Sequence, residues 1–209
     1  MEWWLKSLFL RWGFVIKRRR QAVARPASRA TGLVPEDLME AIHGLDVYKG
    51  LDFGRYPCDL KGWGGDSPAF AELVAEVRPS LIIEVGTWKG ASAISMAEAA
   101  AHLGLGTKIL CVDTWLGALE FRLDRHDAER FQALECRHGY PQVYYRFLAN
   151  VCHRGHQDRI IPFPLDSASA ALWLMSHGIK AGLIYIDGSH EEEAVYQDLL
   201  DYRELLAPE

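Results

Sequence analysis

Apolar residues recur along the chain in short blocks separated by stretches with helical periodicity. Four blocks are apolar on both faces and rich in branched residues, as expected of strands in a parallel sheet covered by helices. They are LIIEVG (81–86), KILCVD (108–113), RIIPFPLD (159–166) and GLIYID (182–187). The alternation predicts an α/β fold, a Rossmann-like parallel sheet with helices on both faces.

Helix signals lie between these blocks. Ser67 supplies a capping side chain and Pro68 suits the first helical position, so a helix begins there and ends before Pro79. Helical spacing also covers residues 91–103 and 167–176. Residues 114–158 have no clear period, and we expect them to form helices and loops over a site.

The last helix has its own start signal. Ser189 and Glu192 have the spacing of a capping box. The residues that follow at helical spacing form an inward apolar stripe of Val195, Leu199, Tyr202 and Leu206.

Residues 1–20 are aromatic and basic, and they predict an amphipathic helix. Lys6 and Arg11 interrupt the apolar stretch, which is too short for a membrane span. One helical face would collect Trp4, Leu5, Leu8, Trp12, Val15 and Ile16. Two interpretations stay open: the helix lies at the inner surface of a membrane, or it packs on the domain or on another subunit.

Composition and the positions of proline and glycine indicate the domain boundaries. Residues 21–35 contain Pro26, Gly32 and Pro35 and predict a linker, so 36–209 form the folded domain. The 209 residues are 49% hydrophobic and 24% charged, which suits one globular domain. The net charge of -5 argues against nucleic acid as a partner. The four cysteines form no CxxC pair, which favours a reducing cytoplasm.

Acidic residues stand near the end of each predicted strand. They are Glu84, Asp113, Asp166 and Asp187. Because the carboxyl ends of parallel strands meet at one edge of the sheet, where ligands bind, these acids predict a ligand rich in hydroxyls or positive charge.

The turn after the first strand, GTWKG (86–90), helps to distinguish between classes of ligand. It has the form GxxxG and lacks the GxGxxG fingerprint of dinucleotide sites, which disfavours a nucleotide-dependent oxidoreductase. Glu84 beside the turn suits a cationic amino acid moiety better than a pyrophosphate. Asp113 has the position expected of a residue that binds both ribose hydroxyls. Together these features favour S-adenosylmethionine over NAD.

Four stretches carry a resemblance to a known family: GWGGDSPAF (62–70), LIIEVGTWKGASAISMA (81–97), ILCVDTWLGALE (109–120) and LIYIDGSHEEEAVYQDL (183–199). From about Gly62 onward the chain resembles class I S-adenosylmethionine-dependent methyltransferases, in the branch near the macrolide-sugar and cephalosporin-type O-methyltransferases. The resemblance implies a cofactor-binding set of Glu84, Gly86, Thr87, Trp88, Gly90, Ser92, Asp113, Thr114, Trp115, Asp166 and Ser167. Trp88 and Trp115 have core packing as an equal alternative.

Asp187 and His190 are the catalytic candidates. In similar enzymes an acid at this position helps to bind a divalent metal such as Mg²⁺ or orients the substrate, and a neighbouring histidine takes the proton from a sugar or phenol hydroxyl. His190 suits that role because imidazole titrates near neutral pH. In the alternative interpretation, Asp187 and Ser189 cap a helix and His190 is an exposed loop residue. A zinc site is not expected, since the spacing of Cys136, His138, Cys152, His153 and His156 fits no structural zinc pattern.

The end of the sequence affects the expected activity. In related methyltransferases the segment LLAPE continues into a fifth strand, often followed by paired acids, so we expect the chain, which stops at Glu209, to be truncated. The strand at 182–187 would then be an exposed edge, which allows pairing with another chain and hence a homo-oligomer. The missing acids argue against a bound metal, and we expect weak turnover even if the cofactor binds.

Two functions follow from the sequence. The first is O-methylation of a small hydroxylated acceptor, such as a sugar or natural-product intermediate. The alternative is a noncatalytic, degenerate Rossmann-like protein that docks through its amino-terminal helix.

Overall fold

In the part of the chain that the structure describes, the fold is built on a five-stranded sheet. The computed structural model describes residues 14–16, 34–123 and 128–208. The strands are β1 (Phe14–Ile16), β2 (Leu81–Val85), β3 (Lys108–Asp113), β4 (Ile160–Pro164) and β5 (Leu183–Ile186). Their order across the sheet is β1-β5-β2-β3-β4, in which β5, β2, β3 and β4 are parallel and β1 is antiparallel to β5. The predicted parallel Rossmann-like core is confirmed.

Helices connect the strands. They are α1 (Leu38–His43), α2 (Pro68–Val77), α3 (Ala91–His102), α4 (Glu120–Leu123), α5 (Ala128–Gln132), α6 (Val143–Arg154), α7 (Ser167–Ser176) and α8 (Glu192–Arg203). Short 3-10 helices lie at Pro35–Asp37 and Phe53–Arg55.

Two apolar layers cover the sheet. On one face α2, α3 and α6 supply Phe70, Ile94 and Phe147 to a cluster that includes Ile82 of β2. On the opposite face, α1, α7 and α8 bury a second cluster. This cluster includes Ile83, the residue that follows Ile82 in β2. Successive strand residues therefore point into different layers, which explains why the strands are apolar on both faces.

The start of α2 follows its sequence signal. Ser67 is the N-cap residue, and its hydroxyl accepts a hydrogen bond from the Ala69 amide at 3.4 Å. Pro68 occupies the first helical turn. The predicted strands and the helices after β2 and β4 all lie within two residues of their observed bounds.

The predicted start of α8 is wrong. The helix begins at Glu192 with Glu191 as its N-cap, and Ser189 instead accepts a hydrogen bond from the Glu191 amide at 3.2 Å. The segment between β5 and Glu191 thus is not helical and lies at the carboxyl edge of the sheet. Tyr202 is buried as predicted, but Asp198 is buried on the same helix and interrupts the apolar stripe.

The prediction of a helix over residues 1–20 is wrong for Phe14–Ile16. These residues form β1, in which Phe14 pairs with Ile186 and Ile16 pairs with Ile184. The physical reason is that β5 otherwise leaves a row of backbone groups unpaired. The predicted exposed edge at β5 is therefore also wrong, because β5 lies inside the sheet. The remainder of the predicted helix, and residues 21–33 of the predicted linker, lie outside the described residues.

Residues 114–158 divide into two parts. Residues 117–121 border a cavity, whereas α6 is a core helix that buries Phe147, Leu148 and Val151. The expectation that this whole region covers a site is therefore correct only for its first part. Within the described residues, none of the helices is long and apolar enough to span a membrane.

Candidate functional site

A cavity of about 1140 Å³ opens at the carboxyl edge of the sheet. Its walls come from the ends of β2, β3 and β5, from the residues after β4, and from the segment before α2. The residues predicted from sequence that line it are Gly86, Thr87, Trp88, Ser92, Asp113, Thr114, Asp166, Ser167, Asp187 and His190. The structure therefore brings together most of the predicted site.

Gly86 forms the floor of the cavity where two loops meet. Its φ is +83°, and a Cβ at this position would lie 2.2 Å from the carbonyl oxygen of Asp187 and 2.4 Å from the Cα of Gly188. Only glycine fits such a close backbone approach. The loop after β2 is thus in direct contact with the loop after β5.

Asp113 holds in place the loop after β2, residues 86–90, which we call the glycine loop. Its Oδ2 accepts hydrogen bonds from the amides of Thr87 at 2.9 Å and Trp88 at 2.8 Å, and its Oδ1 accepts from the Trp115 amide at 2.7 Å. Trp88 and Trp115 have φ of 53° and 52°, a conformation that costs energy for residues other than glycine, and these bonds stabilise it. Burial raises the pKa of Asp113. Oδ2 already accepts two hydrogen bonds and Oδ1 accepts one, so the predicted hydrogen bond from ribose would go to Oδ1.

Glu84 does not line the cavity. It is fully buried, its Oε1 accepts a hydrogen bond from the Ser92 hydroxyl, and the Cys111 thiol donates to its Oε2 at 3.6 Å. Strand alternation points its side chain into the layer of α3, beneath the glycine loop. Burial raises the pKa of Glu84 to about 7.

Gly90 and Trp115 also lie off the cavity surface. A Cβ on Gly90 would approach the ring of Phe147 to 2.8 Å, so this glycine serves packing against α6. Trp115 is buried, its ring centroid lies 4.9 Å from that of Phe147, and its indole nitrogen donates to the Trp88 carbonyl at 2.8 Å. For Trp115 the core alternative is correct, whereas Trp88 lines the cavity.

Lys89 turns away from the cavity. Its ammonium group is nearly buried and lies 2.5 Å from Asp59 Oδ2. Asn150 of α6 donates to the carbonyl oxygens of Asp59 at 2.7 Å and Lys89 at 2.9 Å. This buried polar network anchors the glycine loop from behind.

Asp187 carries a buried carboxylate with an unused oxygen. The Tyr185 hydroxyl donates to its Oδ2 at 2.9 Å, whereas its Oδ1 has no hydrogen-bond partner among the described residues. Burial raises the pKa of Asp187 to about 6. An orphaned buried acceptor at a cavity wall is costly unless a ligand or water satisfies it.

His190 stands at the cavity rim. Its Nε2 lies 3.9 Å from Glu120 Oε1, so the loop after β5 meets the start of α4. The imidazole side chain is 46% exposed, which leaves it accessible to a molecule entering the cavity.

Asp166 and Ser167 form the opposite end of the cavity. Asp166 caps α7, and its Oδ1 accepts from the Ser169 amide at 2.9 Å, which lowers the pKa of Asp166. The Tyr202 hydroxyl donates to the Ser167 carbonyl at 2.9 Å. Asp166 therefore serves as a helix cap and also faces the cavity.

Sequence reasoning missed several lining residues. Asp198 of α8 is 5% exposed, and burial raises its pKa. Its position within a predicted apolar stripe concealed it. Trp63, Phe121 and Arg130 border the mouth, and the only available signal was the position of Trp63 inside the glycine-rich stretch GWGG.

The chemistry of the lining is strongly acidic. Six carboxylates line the cavity, Asp113, Glu120, Asp166, Asp187, Glu191 and Asp198, whereas Arg130 is the one lysine or arginine among its described lining residues. This favours a ligand with positive charge and hydroxyl donors. In the described parts of the chain, no group of three or more His, Cys, Asp or Glu side chains could hold a metal ion. The structure therefore gives no support for Mg²⁺ at Asp187 or for zinc.

Comparison with known proteins identifies the family of the chain. A family model described as "Methyltransferase domain" matches residues 83–209, more than half of the chain. The match covers the glycine loop, β3 and the loop after β5. No curated protein matches the chain significantly.

Proposed function

The chain belongs to the methyltransferase-domain family, as a class I S-adenosylmethionine-dependent enzyme, and from that premise we propose that it methylates a hydroxyl oxygen of a small acceptor. The observation that carries the proposal is the acidic cavity at the sheet edge, where His190 borders the entrance and Asp187 presents an unused oxygen. Family membership also favours an enzyme over the noncatalytic alternative.

The lining residues fit S-adenosylmethionine. Gly86 lets the loops after β2 and β5 meet at the cavity, and Thr87 Oγ1 and Asp187 Oδ1 are buried oxygens that lack partners among the described residues. Gly86 and Thr87 would hold the amino acid part, and Asp113 with Asp166 would hold the adenosine. When bound, this cofactor supplies an electrophilic methyl group on a cationic sulfur.

Carboxylates around the cavity complement that positive charge. Asp187 and Asp198 are both shielded from bulk water. A charge interaction at such a shielded position is stronger than one at an open surface. The cavity would thus favour a cationic ligand.

His190 would remove the acceptor proton. The hydrogen of the acceptor hydroxyl would pass to an imidazole nitrogen of His190 as that hydroxyl oxygen becomes methylated. General-base catalysis of this kind contributes roughly 10²- to 10⁴-fold to the rate. Asp187, fixed by Tyr185, orients the hydroxyl through its free oxygen.

Calorimetry tests the proposal directly. The protein is titrated with S-adenosylmethionine, S-adenosylhomocysteine and NAD, and then assayed for methyl transfer to hydroxylated acceptors. We expect both sulfur ligands to bind and NAD not to bind. Folded protein that binds neither sulfur ligand would refute the proposal. Membrane contact through residues 1–20 and self-association stay predictions.

A further inference from the structure

The mouth of the cavity carries an aromatic and cationic cluster that the methyl-transfer proposal does not use. We call it the rim cluster, and it consists of Trp63, Phe121 and Arg130. The Arg130 guanidinium lies 4.8 Å from the centroid of the Trp63 ring and 5.8 Å from that of Phe121. Trp63 is 53% exposed, although all three residues line the cavity.

The backbone holds Trp63 at this entrance. A Cβ on Gly65 would lie 2.4 Å from the Cβ of Ala91, so the segment passes directly over the first residue of α3. The Ser95 hydroxyl donates to the Gly65 carbonyl at 2.6 Å and fixes that crossing. An exposed tryptophan on an anchored turn is positioned to contact a ligand.

Charge divides the cavity into two regions. Five acidic side chains come from the ends of β3 and β5, the start of α7, and α8, whereas Arg130 places a positive charge at the mouth. A guanidinium that stacks on a ring presents its N–H groups at the ring edge, where they suit a carboxylate. An acceptor with an anionic group therefore fits if that group points toward the mouth, away from the carboxylates in the inner part of the cavity.

The side chains that line the mouth also favour an acceptor with a flat apolar ring. Around Trp63 the wall is formed by glycines and, on the other side, by Leu119 and Phe121, with Glu120 as the polar side chain in residues 117–121. Leu119 is 57% exposed. A sugar would need a denser set of hydrogen-bonding side chains, whereas an aromatic ring can stack on Trp63. The cavity volume of about 1140 Å³ exceeds the roughly 300–1,000 Å³ of a pocket for one drug-sized ligand, which leaves room beside the cofactor.

We propose that the acceptor is a hydroxylated aromatic carboxylate. Its ring stacks on Trp63, its carboxylate binds Arg130, and its hydroxyl points inward toward His190. This inference rests on the proposed O-methylation and narrows the acceptor from hydroxylated molecules in general to an aromatic acid.

Binding of matched probes tests the inference. The protein, saturated with S-adenosylhomocysteine, is titrated calorimetrically with protocatechuate, with the corresponding neutral benzyl alcohol, and with methyl glucoside. We expect protocatechuate to bind about tenfold or more tighter than the alcohol, the effect of one charge-assisted hydrogen bond. Methyl glucoside is expected not to bind. Equal binding of the first two, or preferential binding of the sugar, overturns the inference.

Variants separate the two parts of the rim cluster. Arg130→Gln should remove the preference for the carboxylate and leave the alcohol unchanged, while Trp63→Ala should weaken both aromatic probes. Arg55→Gln, at an exposed arginine outside the cavity, is the matched control and should change neither. If Arg130→Gln weakens both probes equally, the carboxylate assignment is wrong.

The two proposals can fail separately. S-adenosylhomocysteine binding measured before the acceptor probes reports on the proposed function alone. Retained binding of this ligand with no preference for protocatechuate defeats only the acceptor assignment.

Discussion

Gly86 and Asp187 meet through their backbones, so closely that a methyl group on Gly86 would lie 2.2 Å from the Asp187 carbonyl oxygen. Gly86 directly follows β2, and Asp187 directly follows β5 and carries the unused carboxylate oxygen. The contact fixes the relative position of the two loops on which the proposed chemistry depends.

Substitution Gly86→Ala should therefore abolish cofactor binding. The left-handed φ alone costs about 1–2 kcal/mol in an L-residue, and the clash with backbone atoms adds to it. Thermal unfolding and titration with S-adenosylhomocysteine measure both effects. Gly104→Ala is the matched control, because Gly104 has φ +65° and open space around its Cα, so it should show only the conformational cost. Equal behaviour of the two variants would contradict the steric argument.

Asp113→Asn should loosen the glycine loop. An asparagine side chain offers one acceptor oxygen, so its amide group would face at least one of the backbone N–H donors that Asp113 now accepts. We expect a loss of about 1–3 kcal/mol in the free energy of unfolding and at least tenfold weaker S-adenosylhomocysteine binding. Urea denaturation checks the first quantity. Asp158→Asn is the control; if Asp113→Asn is no less stable than this variant, Asp113 does not hold the loop.

The raised pKa of Glu84 predicts how stability depends on pH. Its folded-state pKa of about 7 lies above the value of an unfolded glutamate, so the folded protein binds more protons. The stabilising contribution is present below about pH 4 and is lost as the pH rises through 7. Glu84→Gln imitates the protonated form and should flatten this decline. Urea unfolding from pH 4.5 to 7.5, with exposed Glu72→Gln as the control, measures it; an unchanged slope in Glu84→Gln argues against the assignment.

Cofactor binding should show the opposite pH dependence. Ionisation of Asp187, whose pKa is about 6, creates negative charge at the cavity wall. The preference for cationic S-adenosylmethionine over uncharged-sulfur S-adenosylhomocysteine should therefore increase as the pH rises from 5 to 7. Asp187→Asn should make the ratio of dissociation constants independent of pH in this range. A ratio that is constant in the wild-type protein would contradict the prediction.

His190→Gln should reduce catalysis without removing the cofactor site. We expect kcat to fall roughly 10²- to 10⁴-fold, while the dissociation constant of S-adenosylhomocysteine changes little. Single-turnover methyl transfer separates the chemical step from product release. His102→Gln on α3, outside the cavity lining, is the matched control. A normal rate in His190→Gln would assign proton removal to another group.

The sequence predicted the parallel core because local and tertiary requirements agree there. Branched residues in β2 and β3 are buried on both faces, and Ser67 with Pro68 marks the start of α2 by local geometry alone. The four acids were expected along one edge, and Asp113, Asp166 and Asp187 do line the cavity. Their roles toward a ligand stay predictions.

Other features depend on tertiary contacts that a single sequence does not contain. Glu84 is one residue from the end of β2, and only the register of the sheet decides that its side chain points under the loop. Residues 14–16 form a strand because β5 offers backbone partners, which outweighs their place in an amphipathic pattern. Asp198 is buried by the packing of α8, although its polarity predicts an exposed position.

The pairing of β1 with β5 affects the order in which the chain can fold. Phe14–Ile16 precede their partner residues, Ile184–Ile186, by most of the described chain, so they are synthesised well before them. Until then, β1 has no neighbour in the sheet, and closing so long a loop is slow. β1 is thus placed only after β5 has been synthesised, and co-translational pairing of β2, β3 and β4 proceeds without it.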